Sequence, residues 1–192
     1  MSSDYPLFVR FVAGSSGNWA VRKIFRLSGP ELAVASRLEV LEGDIARIAR
    51  PCIWQLCGTT SHLRYTTAAE ARQLTAVQPP LARPAATRAA LIPIRKSAAW
   101  WRMPQDERRA IYEERSHHTS IGLEYLPRIA RRLHHCRDLG ESYDFLTWFE
   151  FAPEDEPAFD ELLARLRATE EWRFVEAETE VRLHQTGSAD AQ

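Results

Sequence analysis

The apolar residues of the C-terminal half change their spacing several times, and this order limits the possible folds more than any other feature. Strands place apolar residues at alternate positions or in short runs, whereas amphipathic helices place them three or four residues apart. The pattern predicts strands at residues 91–101, 130–136, 143–151 and 175–183, and helices at residues 105–125 and around residues 159–166. The predicted order is therefore strand, helix, strand, strand, helix, strand.

Two of these elements carry further signals. Pro104 stands where proline is favoured at a helix start, and the helix over 105–125 should end before Pro127. The last strand alternates Val175, Ala177, Thr179, Val181 and Leu183 with Glu176, Glu178, Glu180 and Arg182. Such alternation predicts a half-buried strand with one face in solvent.

The order of elements matches the ferredoxin-like plan. The N-terminal half has a shorter and less regular version, with strands predicted at residues 7–13, 19–27 and 53–65 and a helix at residues 68–77. Prolines at positions 79, 80 and 84 indicate a linker. We therefore expect an α+β fold with two ferredoxin-like halves in tandem (a dimeric α/β barrel): a shortened half at residues 1–84, a second half at 85–185, and a disordered polar tail at 186–192.

Composition excludes several classes of function. The formal net charge of −1 gives no reason to expect broad electrostatic binding to nucleic acid or to an anionic membrane. The sequence has no run of about 18 apolar residues and no recognisable secretory signal at its start. Its three cysteines, Cys52, Cys57 and Cys136, match no common zinc pattern, so we expect buried or half-buried free thiols and a cytoplasmic protein.

Two pairs of adjacent histidines are candidate ligands. His117 and His118 lie about 100° apart on the predicted helix, so only one of them can face inward. The apolar pattern barely separates the two, although Gly122, one turn after His118, leaves room for a wide, flat group. An ordinary helix histidine remains the alternative. His134 and His135 lie on a strand and point to opposite sides, so at most one can enter a given pocket.

Two strands offer residues that could form one pocket wall. Arg131 and Leu133 share a face of their strand, and Thr147 and Phe149 share a face of the next. If the faces coincide, one positive charge lies among apolar groups and requires an anionic partner. The alternative is an arginine in solvent at the edge of a sheet.

The segment with Lys96, Trp100 and Trp101 also has two interpretations. Lys96 could pair with a carboxylate at the edge of a cofactor, or it could lie in solvent. The two tryptophans could simply pack in the core.

Taken together, five segments resemble the chlorite dismutase family of haem b proteins. They are residues 92–101 (IPIRKSAAWW), 116–118 (SHH), 125–131 (YLPRIAR), 135–138 (HCRD) and 145–150 (FLTWFE). The resemblance covers roughly residues 87–183 and, more weakly, 54–78. The short N-terminal half is similar to the compact branch of the family, whose members are homodimers.

The resemblance implies a role for each candidate residue. His118 is expected to bind the iron of haem b (iron protoporphyrin IX), and Glu171, or its neighbour Glu170, to bind the far nitrogen of that histidine. Arg131 is expected to be the catalytic arginine on the opposite face of the haem. The remaining expected cofactor contacts are Lys96 and Trp100 at the propionates and haem edge, Trp101 near the haem, and Leu133, Thr147 and Phe149 in the distal wall.

The implied activity is conversion of chlorite to chloride and dioxygen, with chlorite and small anions as ligands. Arg131 favours this chemistry, because relatives that decarboxylate coproporphyrin haem lack an arginine at the matching place. A coproporphyrin-haem decarboxylase, a haem peroxidase, a non-catalytic haem-binding protein and a barrel that binds a small organic ligand remain alternatives, since one fold hosts many functions.

Overall fold

A computed structural model describes residues 6–43, 51–60 and 65–186. It contains strands β1 (Phe8–Gly14), β2 (Trp19–Ser28), β3 (Arg37–Glu42), β4 (Trp54–Thr59), β5 (Arg88–Lys96), β6 (Ala130–His135), β7 (Phe145–Phe151) and β8 (Val175–Gln185). The α-helices are α1 (Ala68–Val77), α2 (Ala98–Arg102), α3 (Gln105–Arg109), α4 (His118–Glu124) and α5 (Glu156–Arg167). A π-helical segment (Ala110–Arg115) follows α3, and short 3₁₀ turns lie at Arg137–Leu139, Pro153–Asp155 and Glu171–Phe174.

The eight strands form one closed barrel in the order β1-β3-β2-β8-β5-β7-β6-β4, with antiparallel neighbours. Each half of the chain contributes four neighbouring strands of the barrel. Around the barrel they lie in the order β4-β1-β3-β2 in the first half and β8-β5-β7-β6 in the second, so the fourth strand of each half lies beside its first, followed by its third and second. The halves meet where β2 pairs with β8 and where Thr59 of β4 pairs with His135 of β6. Within the described ranges, no helix is both long and apolar enough to cross a lipid bilayer.

Two apolar layers lie on opposite faces of the C-terminal strands. Alternate side chains fill the barrel, including Phe11, Leu38, Leu91, Trp148 and Val181. The outer face of β5 and β7 packs against α5, whose Phe159, Leu162, Leu163 and Leu166 are all buried, as their helical spacing predicts. Because β5 is covered on both faces, its sequence is a nearly continuous apolar run.

Two predicted boundaries in the C-terminal half are wrong. The strand predicted at residues 91–101 ends at Lys96, because the Ser97 hydroxyl accepts a hydrogen bond from Trp100 N (3.2 Å) and starts α2. The helix predicted at 105–125 is not continuous: it becomes π-helical at Ala110 and is interrupted at Ser116 and His117 before α4 begins.

The prediction of a solvent-facing side on the last strand holds for Glu176, which is exposed, but is wrong for Glu178 and Glu180. Glu178 and Glu180 of β8 are 2% and 5% exposed. Arg167 of α5 donates to both carboxylates, at 2.6 Å each, and Arg182 donates to Glu180 at 2.5 Å. These two carboxylates are therefore buried and paired, as buried charges must be.

The N-terminal half follows the prediction only in part. The helix α1 has the predicted bounds, and β1 and β2 lie within a residue or so of theirs. The strand β3 was not predicted, and β4 ends at Thr59, short of the predicted residue 65. Residues 61–64 lie outside the described part of the chain. Residues 187–192, where a disordered tail is predicted, also lie outside it. The cysteines are free thiols, although Cys52 is exposed rather than buried or half-buried.

Candidate functional site

A cavity of about 380 Å³ lies between the outer face of the C-terminal strands and the helices α1, α4 and α5. Its volume falls within the range of small-molecule sites. Eight of the nine residues that the sequence singled out line it: Lys96, Trp100, His118, Arg131, Leu133, Thr147, Phe149 and Glu171. The ninth, Trp101, lies beside the cavity, where its indole nitrogen donates to Asp144 (3.0 Å) and its ring stacks on Phe145.

One wall of the cavity carries a connected group of three side chains. His118 Nδ1 lies 2.6 Å from Glu171 Oε2, and Lys96 Nζ lies 2.6 Å from Glu171 Oε1. Burial alone would raise the pKa of Glu171, but electrostatic interactions and hydrogen bonds with His118 and Lys96 lower it to about 2. The carboxylate is therefore ionised at neutral pH and orients the imidazole.

The geometry shows which of the two adjacent glutamates, Glu170 or Glu171, contacts His118. Glu171 is 4% exposed, and its backbone N–H donates to Ser116 Oγ (2.9 Å), which ties it to the segment before His118. Glu170 instead pairs with Arg115 near the surface, at 3.1 Å. Of the two glutamates, Glu171 is the one that contacts His118.

The left-handed turn at His117 separates the two adjacent histidines. His117 has φ 53° and is exposed, whereas His118 opens α4 and faces the cavity. The Tyr112 ring stacks on His118 with 4.5 Å between ring centroids. Because Nδ1 is bound to Glu171, Nε2 is the ring nitrogen left for a ligand in the cavity.

Lys96 is buried and does not reach solvent. Its ammonium lies 4.7 Å from the centroid of Trp100 and 5.5 Å from that of Trp172, in addition to its contact with Glu171. Asp144 accepts from the Lys96 backbone N–H at 2.7 Å and fixes the end of β5. Lys96 therefore neutralises Glu171 directly; its expected contact with the edge of a cofactor stays a prediction.

The opposite wall has the composition that strand alternation predicts. Arg131 pairs in register with Phe149, and Leu133 with Thr147, so the four side chains share one face of β6 and β7. A Cβ added at Gly122 would meet only the Arg131 guanidinium, at 3.7 Å, so α4 presents open backbone to the cavity one turn after His118. His135 also lines the cavity, whereas His134 points into the barrel, 1% exposed.

Gln78 and Tyr112 are among the polar cavity residues that the sequence did not single out. Gln78, at the end of α1, donates from Nε2 to the Arg131 carbonyl (3.0 Å) and so contacts the strand that carries the arginine. Tyr112 lies on the π-helical segment, where the ordinary helical spacing no longer relates it to His118. Neither residue stands in a periodic pattern that could have identified it.

The site suits a metal held inside an organic cofactor better than a bare ion. Among the described residues, no group of three or more His, Cys, Asp or Glu side chains could hold a metal ion. A haem requires only one protein ligand and a flat, apolar space. The buried Trp100 Nε1 has no hydrogen-bond acceptor within the described part of the chain, so it can donate to a group bound in the cavity.

Comparisons with known proteins agree with this geometry. The family model described as chlorite dismutase matches residues 37–185. A chlorite dismutase from Ideonella dechloratans is 32% identical over 84 residues, which are 44% of this chain and 27% of that protein's length. The structure of a dimeric chlorite dismutase from Nitrobacter winogradskyi shares 52% identity over 92% of this chain and 99% of that chain, with a TM-score of 0.86.

A more distant solved structure supports the fold alone. It is a mutant chlorite dismutase from Candidatus Nitrospira defluvii, at 20% identity and a TM-score of 0.69 over 94% of this chain and 91% of that chain. The family model covers most of the chain, and the Nitrobacter structure matches nearly its whole length. This protein therefore belongs to the chlorite dismutase family.

Proposed function

We propose that this protein is a haem b enzyme that converts chlorite into chloride and dioxygen. The observation that carries the proposal is the pairing of two walls in one cavity. One wall presents a single imidazole backed by Glu171, and the other presents Arg131 among Leu133, Thr147 and Phe149. A carrier protein would gain nothing from the arginine, whereas an enzyme that acts on a small anion needs it.

The residues present fit a haem. His118 would hold the iron through Nε2, and Glu171 would strengthen the imidazole as a donor by accepting from Nδ1. Trp100 Nε1 would donate to a propionate, with Trp101 supporting that end of the cavity from behind. When bound, the haem supplies the oxygen-transfer chemistry, which no side chain of the protein can perform.

The protein's own contribution is charge, orientation and exclusion of water. The Arg131 guanidinium offers several fixed donors to chlorite, and the apolar neighbours strengthen that attraction by lowering the local dielectric. The same cation attracts any chlorine-bearing anion. It would therefore also keep the chlorine-bearing part of chlorite in the cavity until both oxygen atoms have left as dioxygen. Leu133, Thr147 and Phe149 limit the entry of water and the escape of reactive species.

Oxygen release measures the activity directly. We expect the hemin-loaded protein to release one dioxygen per chlorite consumed while it retains a Soret band. His118→Ala should lose the haem, and Arg131→Ala should keep haem and fold but lose activity by about 100-fold or more, as expected for a removed electrostatic group. Arg128→Ala, an exposed arginine just before β6, is the matched control and should retain activity.

Other outcomes would identify the alternatives. A Soret band without oxygen release would exclude chlorite conversion and favour a peroxidase or a haem carrier. Decarboxylation of added coproporphyrin haem would favour the decarboxylase. A colourless protein that rejects hemin would remove haem from the proposal and favour a small organic ligand.

The proposal extends to the architecture and assembly. We propose that the barrel consists of two ferredoxin-like halves that meet near residues 84 and 85, because both halves share one spatial strand order. The dimeric relative at 52% identity supports a homodimer, which light scattering would test. The free thiols support a reducing, cytoplasmic location.

A further inference from the structure

The helix that carries His118 begins without a cap of its own. The π-helical segment Ala110–Arg115 ends at Ser116, and His117 then takes left-handed angles, φ 53° and ψ 34°. His117 makes no capping hydrogen bond with its side chain, although the first amide groups of an α-helix have no partner within the helix. The helix α4 therefore needs an acceptor from elsewhere.

Glu113, on the π-helical segment, provides that acceptor. Its carboxylate is 7% exposed and accepts from Thr119 N at 2.6 Å, from Ser120 N at 3.3 Å and from Ser120 Oγ at 2.7 Å. Thr119 and Ser120 directly follow His118 in the first turn of α4. A carboxylate in this position replaces the missing cap and also interacts favourably with the helix dipole.

Two glutamates thus hold the same histidine from different directions. Glu171 fixes the ring of His118 through Nδ1, and Glu113 fixes the backbone that follows His118. Ser116 joins the two arrangements, because its hydroxyl accepts from the Glu171 backbone N–H. Glu113 is not among the residues that line the cavity, so it acts on a bound cofactor indirectly, through the first turn of α4 that carries His118.

We propose that Glu113 is a positioning residue that sets the depth and direction of the His118 imidazole in the cavity, and hence its bond to haem iron; this inference rests on the proposed function. A ring carried on the first turn of a helix moves with that turn, and the turn is tied to Glu113 by three hydrogen bonds. Loss of a group that orients a metal ligand lowers metal affinity about 10- to 100-fold.

The rate of hemin loss to a haem-scavenging globin tests the proposal. Glu113→Ala should lose hemin about 10- to 100-fold faster than the wild type. Glu113→Gln keeps one acceptor oxygen and should lie between the two. The matched control is Glu124→Ala, which removes an exposed carboxylate from the other end of α4, where Glu124 pairs with Arg165, and should leave the rate unchanged.

A spectroscopic measurement separates positioning from general destabilisation. In the reduced protein, the iron–histidine stretching band in the resonance Raman spectrum should shift or broaden in Glu113→Ala and remain at its wild-type position in Glu124→Ala. A wild-type rate and band in Glu113→Ala would overturn the proposal while leaving the haem site intact. If Glu113→Ala does not fold, Glu113→Gln decides by the same two measurements. A wild-type protein that binds no hemin would overturn the proposed function itself.

Discussion

At the scale of single residues, Glu171 is the group on which the buried charges of the site depend. It compensates the charge of Lys96, which is 5% exposed, and it accepts from His118. Removing the carboxylate that pairs with a buried cation is strongly destabilising, because the desolvation cost stays while the attraction is lost.

Glu171→Gln should therefore lower the free energy of unfolding of the haem-free protein by about 3–5 kcal/mol, the range for a broken buried pair. Glu170→Gln is the matched control, because Glu170 is the neighbouring residue and pairs with Arg115 near the surface. Its effect should stay below about 1 kcal/mol. Urea unfolding at pH 7 measures both. Equal effects of the two variants would show that the pair of Lys96 and Glu171 does not stabilise the fold.

His134 is a second buried ionisable group on which the stability of the folded protein depends. It lies in the barrel interior, where Nδ1 donates to the Leu146 carbonyl (3.0 Å) and burial lowers its pKa to about 4. The folded state thus holds a neutral histidine, whereas the unfolded chain has the ordinary pKa of 6.5. Stability is unaffected above pH 6.5 and falls as the pH drops from 6.5 toward 4, because only the unfolded chain then takes up the proton.

We expect the haem-free protein to lose about 2 kcal/mol of stability between pH 6.5 and pH 5 from His134 alone, since one pKa unit corresponds to about 1.4 kcal/mol. His134→Gln should flatten the pH dependence, measured by urea unfolding, whereas His135→Gln on the cavity side should retain it. A wild-type slope in His134→Gln would contradict the assignment.

The sequence predicted which side chains share the β6 and β7 face of the cavity better than it predicted the residues of the His118 wall. Arg131, Leu133, Thr147 and Phe149 lie on strands, whose strict alternation determines which side chains share a face. His118 and His117 could not be separated by helical spacing, because a left-handed residue changes the direction of the chain between π-helix and α4. Neither Gly nor Pro marks that break in the sequence.

At the scale of elements, non-local partners explain what the patterns could not predict. The buried carboxylates of β8 are satisfied by arginines, including Arg167 of α5, that alternation within one strand does not reveal. The helix α1, in contrast, was predicted with its observed bounds, because its signals are local: Thr67 and Glu70 form a capping box at its start.

The position of α1 depends on a salt bridge to α3. The helix α1 contributes a wall of the cavity but buries none of its own residues fully. The Glu70 carboxylate accepts two parallel hydrogen bonds from the Arg109 guanidinium, at 2.6 and 2.9 Å. Arg109 also donates to the Tyr65 carbonyl. Hydrogen bonds from Arg109 hold the pKa of Glu70 at about 2, so the stability that this ion pair contributes is fully present above pH 4.5 and is lost as the pH falls toward 2.

Arg109→Gln should loosen α1 without unfolding the barrel. We expect faster amide hydrogen exchange in α1 and hemin loss about fivefold faster, equivalent to about 1 kcal/mol for a partly exposed ion pair. Arg72→Gln removes the same charge from an exposed position on α1 and should change neither quantity. High salt should reduce the difference between wild type and Arg109→Gln, because exposed ion pairs are screened.

At the scale of the whole molecule, the sequence predicted the order of elements in the C-terminal half and, through the ferredoxin-like plan, an α/β barrel, but not which strands pair to close it. Closure depends on pairing between strands far apart in sequence, such as β2 with β8, and the register there shifts twice, between Val21 and Lys23 and between Arg26 and Ser28. Side-chain alternation within one strand contains no information about such partners. The strand β3 was missed although its residues Leu38 and Val40 pack in the barrel.

Within residues 6–43, 51–60 and 65–186, the strand pair of the barrel with the fewest residues in register is β4 and β6. The described residues contain one registered pair there, Thr59 with His135, whereas β5 and β7 form seven. Next to that pair, the Glu141 carboxylate accepts from the Cys57 backbone N–H at 2.8 Å and takes the place of a neighbouring strand. Burial, and then the Glu141 charge, raise the pKa of the Cys57 thiol.

We therefore expect the barrel to open first between β4 and β6. The backbone amide hydrogens of β4 should then exchange with solvent faster than those of β5. Glu141→Ala removes the acceptor of the Cys57 N–H and a negative charge near the thiol. It should therefore speed hydrogen exchange of the Cys57 amide and raise the rate at which the Cys57 thiol reacts with a thiol reagent. The exposed Glu161 of α5 provides the control, and Glu161→Ala should change neither measurement. If Glu141→Ala leaves the exchange of the Cys57 amide at the wild-type rate, the hydrogen bond to the Glu141 carboxylate does not hold β4 and β6 together. The contact between these strands then depends on the pairing of Thr59 with His135 alone.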